Sequence, residues 1–224
     1  LRGRIGRNVS VAAECARARD PVFTKGNGQM TAISEPIRIL GIGGSTRHGS
    51  MSLVALKAAL RLAEEQGART SLAAVRDLDL PLYNGERQLD EYPATLHWLL
   101  DEVRAADGFV VCSPTYHGTI SGAVKNVLDA LEFLASDQPR YLGGKAVALL
   151  GYGGASAMNT INALYHTVRT LSAQVVPTVV ILSRDQLDNE NMVINEAGTR
   201  QRTATMMREV IDLARLIRDQ KRGT

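Results

Sequence analysis

A chain of 224 residues with 45% hydrophobic and 22% charged side chains is long enough to bury a core without disulfides or metals. The formal net charge of +3 is uneven: residues 1–29 carry six basic side chains against Glu14 and Asp20, leaving 20 basic against 21 acidic in the rest. A balanced body argues against a nucleic-acid surface, no apolar run reaches the roughly 20 residues of a membrane span, and Cys15 and Cys112, far apart, point to a reducing compartment rather than a disulfide framework.

Residues 1–29 are arginine-rich, show no sustained apolar period and precede Met30. A segment translated upstream of a start at Met30, an organelle transit peptide and a functional basic arm all have this composition. The first is preferred, because the pattern of an ordinary domain begins a few residues after Met30. The expected division is a poorly ordered basic extension over 1–35 and one domain over 36–224, working in the cytoplasm.

The body then alternates between two periods. Ile37–Ile42 is a short apolar run, as in a buried strand, and Leu53, Leu56, Leu60 and Ala63 recur at helical spacing. Arg69–Val75 reads as a second strand, followed by the long loop DLDLPLYNGE. Pro93 opens a helix whose apolar face is Leu96, Leu99, Leu100 and Val103. GFVVCSP, residues 108–114, reads as a third strand stopped by Pro114. Val124, Val127, Leu128, Leu131 and Leu134 mark the next helix.

A fourth strand lies in KAVALLGYGG, residues 145–154, and Met158, Ile161, Leu164, Val168 and Leu171 mark a fourth helix. Val175–Leu182 is the fifth strand, and Met207, Val210, Leu213 and Ile217 the last helix. Strands that are continuously apolar imply a parallel sheet covered on both faces. Pro177 inside the fifth strand places that strand at an edge. A flavodoxin-like α/β sandwich of three layers, with five parallel strands in the order 2-1-3-4-5, satisfies these constraints.

In that topology three unusual loops converge at the carboxyl ends of the first, third and fourth strands. The first is GGSTRHGS, residues 43–50. It lacks the lysine of a Walker loop and the spacing of a dinucleotide fingerprint. Its hydroxyls, its arginine and the following helix N-terminus suit a terminal phosphate monoester, although Ser50 as a helix cap is the bland alternative. The second is SPTYHGTISG, where Pro114 stiffens the strand exit and the backbone and Tyr116 can meet the polar edge of a flat ring. The third, Gly151-Tyr152-Gly153-Gly154, lets a ring lie near the main chain or is only a tight turn.

Together these loops resemble the NADPH-dependent FMN reductase family. The likeness rests on GSTRHGS (44–50), on PTYHGTISGAVKN (114–126) followed by Asp129, and on DLDLPLYN before the second long helix, and it extends to the last helix. The resemblance implies bound FMN, with Ser45, Arg47, Ser50 and Ser52 on its phosphate, aided by backbone N–H groups near Met51. It implies that Pro114, Thr115, Tyr116, His117, Gly118 and Thr119 line the isoalloxazine and that Gly151, Tyr152, Gly153 and Gly154 pass its other flank.

It further implies hydride transfer from NADPH, or NADH, to the flavin and then to a small-molecule acceptor: free flavin, a quinone, an azo dye or a metal oxyanion. No side chain is needed as acid or base, so no catalytic residue and no metal are assigned. Ser121, where many members have proline, is similar to the branch that supplies reduced flavin to flavin-dependent monooxygenases. Family members are usually dimers or tetramers, and the helix bearing Lys125 and Asp129 is expected near a subunit contact. An electron carrier and a flavin-free binder of another phosphate ligand are the alternatives.

Overall fold

The computed structural model describes residues 35–223, so the expectation of a poorly ordered extension falls outside the described residues. Within them the apolar runs pair as parallel strands: β1 (Arg38–Gly43), β2 (Arg69–Ala74), β3 (Gly108–Tyr116) and β5 (Ala146–Tyr152). The long helices are α1 (Met51–Glu65), α3 (Ala94–Ala105), α4 (Gly122–Asp129), α5 (Ala157–Thr170) and α6 (Ala197–Arg222). The sheet runs β2-β1-β3-β5 and ends in β6 (Gln174–Val175) and β7 (Val180–Leu182), which pair successively with β5. This is the expected order, with two differences.

The expected fifth strand is two short pieces. Pro177 lies between them, where a residue without an amide hydrogen interrupts the ladder, and both pieces sit at the edge as its presence requires. Nor does β3 stop at Pro114: it continues to Tyr116 and turns back as β4 (Thr119–Ile120), which pairs antiparallel with it. The pairing of β3 with β1 ends at Cys112, so beyond that point Pro114 faces a ladder only toward β5. A missing N–H costs little there.

Alternate residues of each strand serve two apolar layers. Ile39, Val110, Cys112, Ala148 and Leu150 pack under α1 and α6. Leu40, Ile42, Phe109, Val111 and Leu149 pack under α3, α4 and α5. Both faces are covered, which is why the strands read as unbroken hydrophobic runs. Met158, expected on the core face of α5, is instead 46% exposed, while Ile161, Leu164 and Val168 are buried.

The loop after β2 is partly ordered by a single turn, α2 (Val75–Leu78). Asn126 on α4 pins it: its side-chain amide donates to Pro81 O at 2.9 Å, and its side-chain oxygen accepts the Tyr83 amide at 2.7 Å. The acidic, amide-rich stretch before α6 holds a small hairpin of β8 (Leu187–Asp188) and β9 (Val193–Ile194). Among the described residues no helix is long and apolar enough to cross a membrane.

Candidate functional site

The first loop begins where β1 passes closest to β3. At Gly43, φ is +147°, and a side chain there would drive into the carbonyl oxygen of Cys112. That carbonyl accepts the Gly44 amide at 3.3 Å, so the backbone leaves the sheet under control of its neighbour strand. Ser50 then caps α1, its hydroxyl accepting the Leu53 amide at 3.3 Å. The amides of Met51 and Ser52 start the helix and have no intrahelical acceptor, and the first turn carries no acidic side chain.

Ser45 is buried with its hydroxyl 3.3 Å from that of Tyr116, and it accepts the Arg47 amide at 3.3 Å. The guanidinium of Arg47 is exposed and makes no ion pair among the described residues. Ser52 is only 1% exposed and lies behind Ser50, the two hydroxyls 2.9 Å apart. Sequence reading missed Arg76, which α2 brings beside this loop, where it donates to His48 Nε2 at 2.7 Å. An arginine can only donate, so Nε2 of His48 is the acceptor in this contact. No local pattern links Arg76 to a loop 28 residues earlier. Thr46, Arg76, Asp79 and Asn126 share a pocket of about 380 Å³ beside it.

The second loop is a two-residue β-hairpin turn, with His117 at φ 50° and Gly118 at φ 77°. Two serines hold its base. The buried hydroxyl of Ser113 donates to Pro114 O at 2.8 Å and accepts the Ser121 amide at 3.0 Å. Ser121 in turn caps α4 through the Val124 amide at 3.2 Å. The hairpin therefore projects Tyr116, His117, Gly118 and Thr119 into solvent from a rigid base, with Tyr116 43% exposed. Pro114 is buried within the strand, and Thr115 is half-buried, its hydroxyl 2.8 Å from that of Thr160.

The third loop divides into parts. Gly151 is buried beneath α5, where a Cβ would lie 3.1 Å from Ala157 O, and Tyr152 packs toward the α1–α6 layer. Gly153 abuts the hairpin: a Cβ there would stand 2.8 Å from Thr115 Cβ, so only glycine lets the two loops touch. Gly153 thus lies against the hairpin and Gly154 beside open space, whereas Gly151 serves strand–helix packing. Met51 is half-buried and packs into the α1–α6 layer, so its offer to a ligand is its amide.

The three loops meet as expected, the first and second through Ser45 and Tyr116, the second and third through Thr115 and Gly153. Hydroxyls of Ser45 and Ser50, two helix-start amides and an unpaired guanidinium make a donor set that fits a phosphate monoester. Cys112, although near, is no nucleophile: it is fully buried, donates to Ser52 O at 3.3 Å, and burial pushes its thiol far above the usual range. Among the described residues no cluster of metal-ligating side chains exists.

The chain is 34% identical over 140 residues to an NAD(P)H-dependent FMN reductase of Pseudomonas aeruginosa, spanning 62% of this chain and 71% of that one. It is 39% identical over 106 residues to an NADPH azoreductase of a Bacillus strain, and 33% identical over 118 residues to a quinone reductase of Escherichia coli. Those matches span 46% and 52% of this chain, and 56% and 60% of the relatives. The flavoenzyme NAD(P)H:(acceptor) oxidoreductase FerB of Paracoccus denitrificans shares the fold, with a TM-score of 0.65 at 18% identity over 80% of this chain and 97% of its own. The profile of the NADPH-dependent FMN reductases matches residues 37–186, ending short of α6, and the chain belongs to that family.

Proposed function

We propose that the crevice at the carboxyl ends of β1, β3 and β5 holds FMN by its phosphate, receives hydride from NAD(P)H, and passes the electrons to a small-molecule acceptor. The carrying observation is the meeting of a phosphate-type donor set with a rigid hairpin and a glycine loop. Ser45, Arg47, Ser50 and the amides of Met51 and Ser52 bind the phosphate. The main chain of residues 115–119 borders the ring, and Gly153 and Gly154 flank it. Bound flavin supplies the hydride-accepting ring and the electron transfer. The protein positions it and excludes water, and no side chain has to move a proton for the hydride step. The names of the Bacillus and Escherichia coli relatives support azo compounds and quinones as acceptors.

Residues 36–224 form the reductase domain, and the setting is the cytoplasm, where NAD(P)H is supplied and the Cys112 thiol stays reduced. A homodimer or homotetramer is supported by exposed Leu82, Met158 and Tyr165 and by the groove of about 490 Å³ between α4 and α5, which Lys125 and Asp129 line. A monomeric mass by ultracentrifugation contradicts that assembly. A flavin-dependent monooxygenase as recipient rests on Ser121 alone, and capping of α4 accounts for a serine there without it.

An anaerobic titration of the FMN-loaded protein with NADPH and NADH, followed by visible absorbance, tests the activity. Rapid bleaching beyond a no-protein control is expected. Slow bleaching of tightly bound flavin indicates an electron carrier, and absence of FMN binding overturns the assignment.

A further inference from the structure

The sheet has a second end. Opposite the crevice, where strands begin, a cavity of about 200 Å³ is lined by Arg104, Asp107, Lys145, Arg218 and Lys221 among others. Among the described residues lining it, four carry cationic side chains and one, Asp107, a carboxylate. Three of these cations, Arg104, Lys145 and Lys221, have partners within the protein. Arg104 pairs with Asp137 at 2.9 Å and Asp101 at 3.1 Å. The buried ammonium of Lys145 donates to the carbonyls of Val103, Arg104 and Ala106 at 2.6, 2.8 and 2.8 Å, closing the C-terminal end of α3. It keeps its charge but has no proton to spare.

Arg218 differs. One terminal nitrogen reaches Pro36 O at 3.4 Å and Asp107 Oδ2 at 3.5 Å, both long. Its Nε and its other terminal nitrogen are buried without an acceptor among the described residues. These two nitrogens share one edge of the guanidinium, so their N–H bonds run parallel. That edge is the one that takes a carboxylate or phosphate in bidentate fashion. A buried charged donor left unpaired costs more than a neutral one, so two on one edge call for an acceptor.

We propose that this cavity is a binding site for a small oxyanion, inorganic phosphate or the terminal phosphate of a metabolite, anchored by the Nε edge of Arg218. The cavity admits a phosphate group and excludes a whole flavin nucleotide, and it lies at the opposite end of the strands from Arg47. Lys145 and Lys221 contribute field rather than geometry: the charge of Lys221, after burial itself, is the largest influence lowering the Lys145 ammonium. An anion between them relieves that repulsion.

The test is thermal unfolding of FMN-saturated protein in rising sodium phosphate, against sodium chloride at equal ionic strength. A saturable rise in Tm of roughly 5 °C by a hundredfold excess over Kd is expected in phosphate alone. Arg218→Met, which keeps the packing of the stem, should lose the phosphate-specific rise and be no less stable than the parent in chloride. Arg218→Lys, which keeps the charge without the fork, should bind at least tenfold more weakly. Arg47→Ala should retain the rise. Sulfate matching phosphate identifies a general tetrahedral-oxyanion site, and phosphate esters matching it identify a metabolite headgroup. A phosphate effect that persists in Arg218→Met, or equal midpoints in phosphate and chloride, overturns the proposal and leaves ordered water as the acceptor.

Discussion

The hydroxyls of Ser45 and Tyr116 lie 3.3 Å apart although 71 residues separate them. One belongs to the loop after β1, the other to the hairpin at the end of β3. The contact locks the phosphate loop to the ring-bordering hairpin, so the two halves of the proposed flavin site are set before the ligand arrives. Tyr116→Phe removes only that link, and the ring is exposed enough that the fold should not notice. FMN affinity is expected to fall about fivefold, the worth of one net hydrogen bond near 1 kcal/mol, while Tm moves by less than a degree or two. Fluorescence quenching of FMN together with a melting curve measures both.

Arg47 carries the charge of the first loop and has no competing carboxylate. Loss of a charge-assisted pair to a phosphate costs about 1.5–3 kcal/mol, so Arg47→Ala should weaken FMN binding roughly 10- to 100-fold. Riboflavin, which lacks the phosphate, should bind the variant and the parent equally. Equal losses for both ligands would place Arg47 on the ring or in the fold instead.

Lys145 makes stability depend on pH. Burial, then the charge of Lys221, lowers it from its ordinary 10.5 to about 8. Between those values the unfolded chain holds a proton that the folded chain has released, so folding stability rises with pH across that window. Below about pH 8 both states are charged and the burial penalty is fully present. The gain is bounded at about 3 kcal/mol, and the carbonyl left without a donor on deprotonation offsets part of it. Urea unfolding from pH 7 to 10.5, in buffers free of polyvalent anions, should show this rise, and Lys145→Met should flatten it. A parallel pair of profiles would mean that Lys145 titrates alike in both states.

Much of the architecture was legible because burial leaves a period in the sequence. Continuous apolar runs such as Phe109–Cys112 mark strands covered on both faces, and Pro177 betrays the edge of the sheet. The site was legible in outline for a similar reason: hydroxyls, glycines and an arginine gather at strand ends, where the topology makes them converge. What misled was local. Pro114 reads as a terminator, yet its strand runs on because one neighbour has already ended. Met158 has helical spacing with Ile161, yet faces outward, since the buried stripe of α5 runs through Ala157, Ile161, Leu164 and Val168 and Met158 lies off it.

The chain's own order of apolar and polar residues determined the layers, the strand order and the place of the crevice, since each follows from periodicity and from the handed rules of parallel sheets. Tertiary structure alone decided what each named residue of those loops touches. Gly153 abuts the hairpin while Gly151 packs beneath α5, and Ser52 is buried with its hydroxyl 2.9 Å from that of Ser50. Arg76 joins the first loop across the turn after β2, and Arg218 is left with an unpaired edge by the way α6 crosses the strand beginnings. These facts depend on contacts between segments far apart in the chain, and a pairing energy between distant residues leaves no mark in the composition around either one.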